Sequence, residues 1–222
     1  MWLVVPPALV ATSTINLPSS SWIFLVLLIL LSMVFTVIVG SKLLRIIRQR
    51  GDYRLGFDGE RYVGEELNGL LAKGFQVYHD VPFDGFNVDH VLVGPPGVFS
   101  VETKTRRKPI GEAGNEKHRG EFDGARLRWP WGTDTDDLEQ AARNAQTLAQ
   151  WLSGAVADRV LVTAILTLPG WMVDRKTACK SVQVLNPKEI IKLVHGQPES
   201  LSQNLIKRIC YQLDQKCKIE VE

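Results

Sequence analysis

The 222 residues are 45% hydrophobic and 23% charged, a balance that excludes disordered, collagenous and disulfide-scaffold classes. The formal net charge is +2, yet residues 1–40 hold no Asp, Glu, Lys or Arg, and Lys42, Arg45, Arg48 and Arg50 alone contribute +4. Residues 51–222 therefore carry −2, which excludes the broadly basic surface of a tight, non-specific nucleic-acid binder; any such contact must be local or helped by metal ions.

In chain order, residues 1–20 read as a short tail broken by Pro6-Pro7. Trp22–Val39 is an uninterrupted apolar run closed by Gly40, long enough at ~1.5 Å per residue to cross a ~30 Å hydrocarbon core. No basic residue precedes it, as a cleaved signal peptide would require. Residues 21–40 are thus expected to be a transmembrane helix in contact with the bilayer. The basic run that follows, in a 41–55 linker, puts the N-terminus outside and the bulk of the chain in the cytoplasm.

Gly51–Gly56 reads as the end of that linker, and Asp58 as the N-cap of a helix running to Gly74. Glu60 falls in the middle of that helix's apolar stripe of Val63, Gly64, Leu67 and Leu71, where an acid needs a partner. Strands are expected at 75–81, 87–93 and 98–103, then a polar loop or inserted hairpin over 105–137. A helix over 136–152 presents Leu138, Ala141, Ala145, Leu148 and Leu152 on one stripe. A buried strand at 159–168 and a further one at 181–185 follow. Asn186-Pro187 starts a helix that stops at Gly196, and Leu201, Leu205, Ile209 and Leu213 mark a last amphipathic helix. The order describes an α/β domain with one central sheet.

The chemistry concentrates in Asn87–Lys104. Two apolar strands flank Gly94-Pro95-Pro96-Gly97, and two prolines of fixed negative φ exclude a type I′ turn. If the loop closes symmetrically, Val93 faces Val98, and counting outward sets Asp89 opposite Glu102. Lys104 then shares a face with Glu102 because side chains alternate with period 2. Opposed like charges destabilise a strand pair by up to ~1 kcal/mol, and burying them costs more. A divalent cation accounts for such a pair, since hard cations take clustered carboxylate oxygens. An ordinary exposed ion-pair cluster around Lys104 is the plainer alternative. Gln140, in the first turn of the second long helix, is placed to aim an amide at the site. His90 points to the opposite face from Asp89, and His79, His118 and His195 show no cluster. Cys179, Cys210 and Cys217 lack metal-ligand spacing and read as ordinary thiols of a reducing compartment.

The ordered set Gly59-Glu60, Val88-Asp89-His90-Val91, Gly97-Val98, Val101-Glu102-Thr103-Lys104, Leu138-Glu139-Gln140 and Asn144 resembles the nuclease-related domain, NERD, over 56–168. That family has the D…(D/E)-x-K signature of restriction-endonuclease-like nucleases. The resemblance implies an α-β-β-β-α-β core, a mixed central sheet flanked by helices, with residues 169–222 as a C-terminal extension outside it. It implies Mg²⁺ or Mn²⁺ on Asp89, Glu102 and the Thr103 carbonyl. It gives Lys104 the attacking water, Glu60 a water of the metal shell or a second metal, and Gln140 a supporting role. The partner is nucleic acid, DNA before RNA, cut by phosphodiester hydrolysis at the inner membrane of a bacterium. A binding or scaffold protein that keeps the fold without turnover is the alternative. Arg106, Arg107 and Lys108 would contact phosphates or remain solvated, and Trp129 and Trp131 would stack on unpaired bases or pack an inserted hairpin.

Overall fold

The computed structural model describes residues 19–108, 119–177 and 181–218; the N-terminal tail, His118 and Cys179 lie outside them. The chain divides into a unit that ends at Gly51 and a unit over Asp52–Glu222. In the first, residues 22–39 are helical and exposed along their length, in a helix long and apolar enough to cross a membrane.

That helix, α1, runs from Ser19 to Asn68, which corrects the linker expected at 51–56 and the helix start expected at Asp58. Pro18 and Pro82 are the nearest prolines, so nothing between them removes a helical N–H. Gly51 and Gly56 each cost about 1 kcal/mol relative to alanine, too little to break a helix propagated from both sides. Asp58 is an interior residue, paired with Arg54 one turn back at 3.8 Å. After α1, a short 3₁₀ turn at Leu71–Lys73 closes on Gly74, whose φ of 83° is left-handed as a glycine permits.

In the second unit, strands β1 (Gln76–Phe83), β2 (Phe86–Gly94), β3 (Gly97–Thr103), β7 (Val162–Thr167) and β9 (Val182–Leu185) form one sheet in the order β1-β2-β3-β7-β9. β1, β2 and β3 pair antiparallel; β3, β7 and β9 pair parallel, so the sheet is mixed as expected. The β2–β3 register is the symmetric one, with Gly94 across from Gly97 and Val93 across from Val98. The Pro95-Pro96 turn is held from outside: Ser200 and Leu201 N–H groups donate to the Pro95 carbonyl at 2.8 and 3.0 Å.

Helices cover both faces. On one, Val63, Leu67 and Leu70 from the end of α1 and its following turn, and Ile190 and Val194 of α3 (Pro187–His195), bury Leu92, Phe99, Val101 and Ile165. On the other, Leu148, Leu152 and Val156 of α2 (Asp136–Val156) join Ile206, Ile209 and Leu213 of α4 (Gln203–Lys218) over Val91, Val93 and Val98. α3 starts with the expected Asn186 cap, completed by Glu189 into a capping box, but Gly196 ends it in right-handed geometry with φ −84°.

The segment after Lys104 holds more than one hairpin. β4 (Arg119–Phe122), β5 (Leu127–Trp129), β6 (Gly132–Asp134) and β8 (Met172–Arg175) form a second sheet in the order β6-β5-β4-β8. Its Phe122, Leu127 and Trp129 pack with Leu138, Ala141 and Ala145 of α2 and with Leu166 of β7.

A Cβ at Gly94 would lie 2.3 Å from the Phe75 ring. Gly94→Ala is expected to lower stability by about 1–3 kcal/mol, the usual range for overpacking, read as an earlier thermal unfolding transition of the detergent-solubilised chain. An unchanged transition would show that the β2–β3 hairpin end tolerates displacement of Phe75.

Candidate active site

The pairing of β2 with β3 ends at His90↔Val101, and Asp89 and Glu102 are the next residue outward on each strand. The ladder is closed there by a side chain: the Thr103 N–H donates to Asp89 Oδ2 at 2.7 Å. Glu102 is 2% exposed. Its Oε1 lies 3.0 Å from Lys104 Nζ and accepts from Gln140 Nε2 at 2.7 Å, and its Oε2 accepts from Asn144 Nδ2 at 2.8 Å. Lys104 Nζ also donates to Gln140 Oε1 at 2.9 Å, closing a ring of Glu102, Lys104 and Gln140. Gln140 and Asn144 stand one turn apart on α2, so a single helix face holds both carboxylate oxygens.

Glu60 arrives from α1. A Cβ on its neighbour Gly59 would lie 2.0 Å from the Thr105 methyl, so glycine allows α1 to approach the exit of β3. Glu60, half-buried, feels the charges of Asp80, Glu102 and Lys104. Burial first, then Asp80 and Glu102, hold its carboxyl above the usual range. The structure thus brings together Glu60, Asp89, Glu102, Thr103, Lys104 and Gln140.

Three features escaped the sequence reading. Asn144 was visible only as part of a family pattern, although its spacing from Gln140 is a helix-face signal. Asp80 reaches Glu60 from β1 with φ 50°, an unusual conformation for a non-glycine residue. His79 and His90 lie directly across the β1–β2 pair, their Nδ1 atoms 2.8 Å apart, which corrects the expectation that His79 joins no cluster. Counting outward from the Asp84-Gly85 turn, with Phe83 opposite Phe86, would have found that pair. Burial, then neighbouring His79, pushes His90 down to about 3, so one neutral ring donates to the other. His90 does face away from the carboxylate side, toward Gly64 of α1. Glu60, Gly64, His79, Asp80, His90 and Phe57 line a cavity of about 400 Å³.

The basic run divides. Arg106 is ion-paired with Asp134 and Asp137, and Arg107 pairs with Asp52 at 2.7 Å. These partners remove Arg106 as a ready phosphate contact: its charge is already matched by two carboxylates. Cys210 and Cys217 are half-buried.

The donor set suits a hard divalent cation. Asp89 and Glu102 offer carboxylate oxygens close to each other, and oxygen donors of this kind select Mg²⁺ or Mn²⁺ over softer metals. Among the described residues no three His, Cys, Asp or Glu side chains are grouped to hold a metal unaided. A cation on Asp89 and Glu102 would therefore complete its shell with the Thr103 carbonyl and water, the usual habit of Mg²⁺.

Burial, then the charge of Glu102, pushes the Asp89 carboxyl up to about 7; Glu60 adds to the rise, and the Thr103 N–H and Lys104 oppose it. The folded chain therefore keeps a proton that the unfolded chain, with an ordinary value of 3.8, has released. Metal-free stability should be highest at low pH in this window and fall as pH rises from about 4 to about 7. Asp89→Asn should flatten that fall and raise the melting temperature in chelator at pH 8 by about 2–4 °C or more, the shift ~1 kcal/mol gives in a chain of this size. A variant that melts lower than the native chain at pH 8 would contradict the repulsion.

Residues 55–169 match the family model of the nuclease-related domain, NERD. No curated protein and no solved structure matches the chain. The matched span exceeds half of the 222 residues and contains every site residue from Glu60 to Gln140. Its elements follow the order helix, three antiparallel strands, helix, parallel strand, with β4, β5 and β6 inserted before the second helix. The chain belongs to the nuclease-related domain family.

Proposed function

We propose that this protein is a Mg²⁺- or Mn²⁺-dependent nuclease that hydrolyses phosphodiester bonds of DNA, or of RNA, held at the cytoplasmic face of a bacterial membrane by residues 21–40. The observation that carries the reading is the ring of Glu102, Lys104 and Gln140 across the strand pair from Asp89. It costs stability as a purely structural device and has the parts that phosphoryl transfer needs.

Asp89 and Glu102 would hold the cation, with the Thr103 carbonyl beside them. A divalent cation there supplies positive charge for the phosphoryl oxygens and lowers the pKa of water. Lys104, fixed by Gln140 and Glu102, aims its ammonium at the attacking water and at the charge that grows on the phosphate. Asn144 and Gln140 hold the Glu102 carboxylate so that it does not reorganise during the reaction. Glu60 adds a carboxylate at the rim that can orient a water. The water's oxygen bonds to phosphorus as the scissile P–O ester bond breaks, the water gives up a proton to bulk solvent and the departing ester oxygen takes one from it, while the Lys104 ammonium offsets the acidic surroundings that would repel the polyanion.

The basic run Lys42–Arg50 follows the apolar stretch of α1. By the charge asymmetry of membrane proteins it puts Asp52–Glu222 on the cytoplasmic side, with Lys42, Arg45, Arg48 and Arg50 against anionic headgroups. One observation favours a second reading, a nuclease fold that binds without turnover: both Glu102 oxygens already accept hydrogen bonds from α2.

The purified full-length chain in detergent should cleave DNA or RNA only with Mg²⁺ or Mn²⁺. Glu102→Ala and Lys104→Ala should each lower the rate by about 10²–10³-fold, as loss of one transition-state contact does. Cleavage that survives both substitutions contradicts the site. Nucleic-acid binding with no cleavage under any divalent cation supports the second reading.

A further inference from the structure

Trp131 is a large apolar side chain left 51% exposed in the turn between β5 and β6. Exposure of an indole on a surface loop normally implies a freely moving ring, but this one is fixed. Its plane lies 2° from that of buried Trp129, with centroids 5.7 Å apart. Trp171, 1% exposed, meets both rings edge-on, at 4.9 Å from Trp129 and 5.4 Å from Trp131. Pro130 stiffens the turn between the two stacked rings.

The same cluster is fastened to the strand that carries the site. Trp171 Nε1 donates to the Arg106 carbonyl at 3.1 Å, and the Arg106 guanidinium lies 5.8 Å from the Trp129 ring centre. Arg106 is gripped in turn by Asp134 of β6 and Asp137 of α2, the helix that presents Gln140 and Asn144. Arg106 lies two positions beyond Lys104, ~7 Å of chain at full extension. That is about two rises of a nucleic-acid strand at ~3.4 Å each.

We propose that Trp131 is a stacking platform for an unpaired base of the substrate strand, flanking the scissile phosphate, and that the substrate class is single-stranded nucleic acid. The inference rests on the nuclease reading above and extends it to strandedness. A base within a duplex has both faces covered by its neighbours and offers only its edges; an exposed indole face accepts a base that is unpaired or turned out. Stacking also supplies what the composition lacks. Residues 51–222 carry −2 overall, and Arg106 is committed to two aspartates, so a strand cannot be held by a broad phosphate-binding field. Because Trp129, Trp171 and Pro130 already hold the ring, little side-chain freedom is lost when a base docks.

The test uses the full-length chain in detergent, in chelator so that no turnover occurs, with a fluorescent unpaired oligothymidine strand and a hairpin duplex as probes. Anisotropy is expected to show Trp131→Ala binding the unpaired strand about 5–150-fold more weakly, the equivalent of ~1–3 kcal/mol per stacked base. Duplex binding should not change, and Trp131→Phe should restore most of the loss. With metal restored, Trp131→Ala should raise KM on the unpaired strand far more than it lowers kcat. Matching melting curves for the Phe and Ala variants exclude a folding defect. Equal affinity of Trp131→Ala and the native chain for the unpaired strand overturns the platform while leaving metal-dependent cleavage intact. Failure of the native chain both to bind and to cleave any strand removes the nuclease reading and the platform with it. Trp131 fluorescence shielded on reconstitution into anionic vesicles, with strand binding unaffected by Trp131→Ala, makes it a membrane contact and also overturns the proposal.

Discussion

The second unit depends on one enforced juxtaposition, a pair of carboxylates held opposite each other in an antiparallel strand pair. Asp89 and Glu102 come together because the Gly94-Pro95-Pro96-Gly97 turn closes symmetrically, with Ser200 and Leu201 holding it, and the register it sets runs out to His90 and Val101 beside them. The repulsion is met locally rather than relieved. Thr103 donates to Asp89, Lys104 reaches Glu102, and two amides one turn apart on α2 complete the Glu102 hydrogen bonds. What is left over appears as the raised Asp89 carboxyl, whose ionisation is disfavoured by burial and by Glu102. Such a surplus of negative charge is a place where a cation gains by entering and where the metal-free fold loses stability.

The surrounding architecture serves that placement. α2 packs its apolar stripe on the sheet and therefore turns Gln140 and Asn144 inward at one height. α1 comes close enough to bring Glu60 in because Gly59 meets the Thr105 methyl without a Cβ. The second sheet, three of whose strands lie between Lys104 and α2 and the fourth after β7, packs around Trp129 and Trp171 and ties Arg106 to Asp134 and Asp137. Its aromatic cluster is thus an extension of the strand exit.

Much of this was legible in the sequence because it follows from short-range rules. Period-2 alternation and a two-proline turn suffice to pair Asp89 with Glu102, and apolar spacing suffices for α2, α4 and the central strands. Legibility failed where long-range cooperation decides. Glycines at 51 and 56 resemble a linker locally, yet they lie inside α1 because helix on both sides carries through them. β8 is a four-residue strand whose partner β4 lies some fifty residues earlier, a parallel pairing with no local signal. Asp80 gains its place beside Glu60 through a left-handed backbone that composition does not announce. Arg106 read as a phosphate contact or a solvated charge, and not as an ion-paired residue, because its two carboxylate partners come from separate elements.

Asp89 and Glu102 are, in our proposal, the residues that hold a divalent cation. Crystals of the full-length chain grown with Mn²⁺ above pH 7, with diffraction recorded for anomalous scattering, test it directly. One anomalous peak at the Asp89 and Glu102 carboxylates, absent from Asp89→Asn crystals, is the expected result. Fully ordered carboxylates with no peak between them, and the Lys104 ammonium alone neutralising the pair, would contradict it.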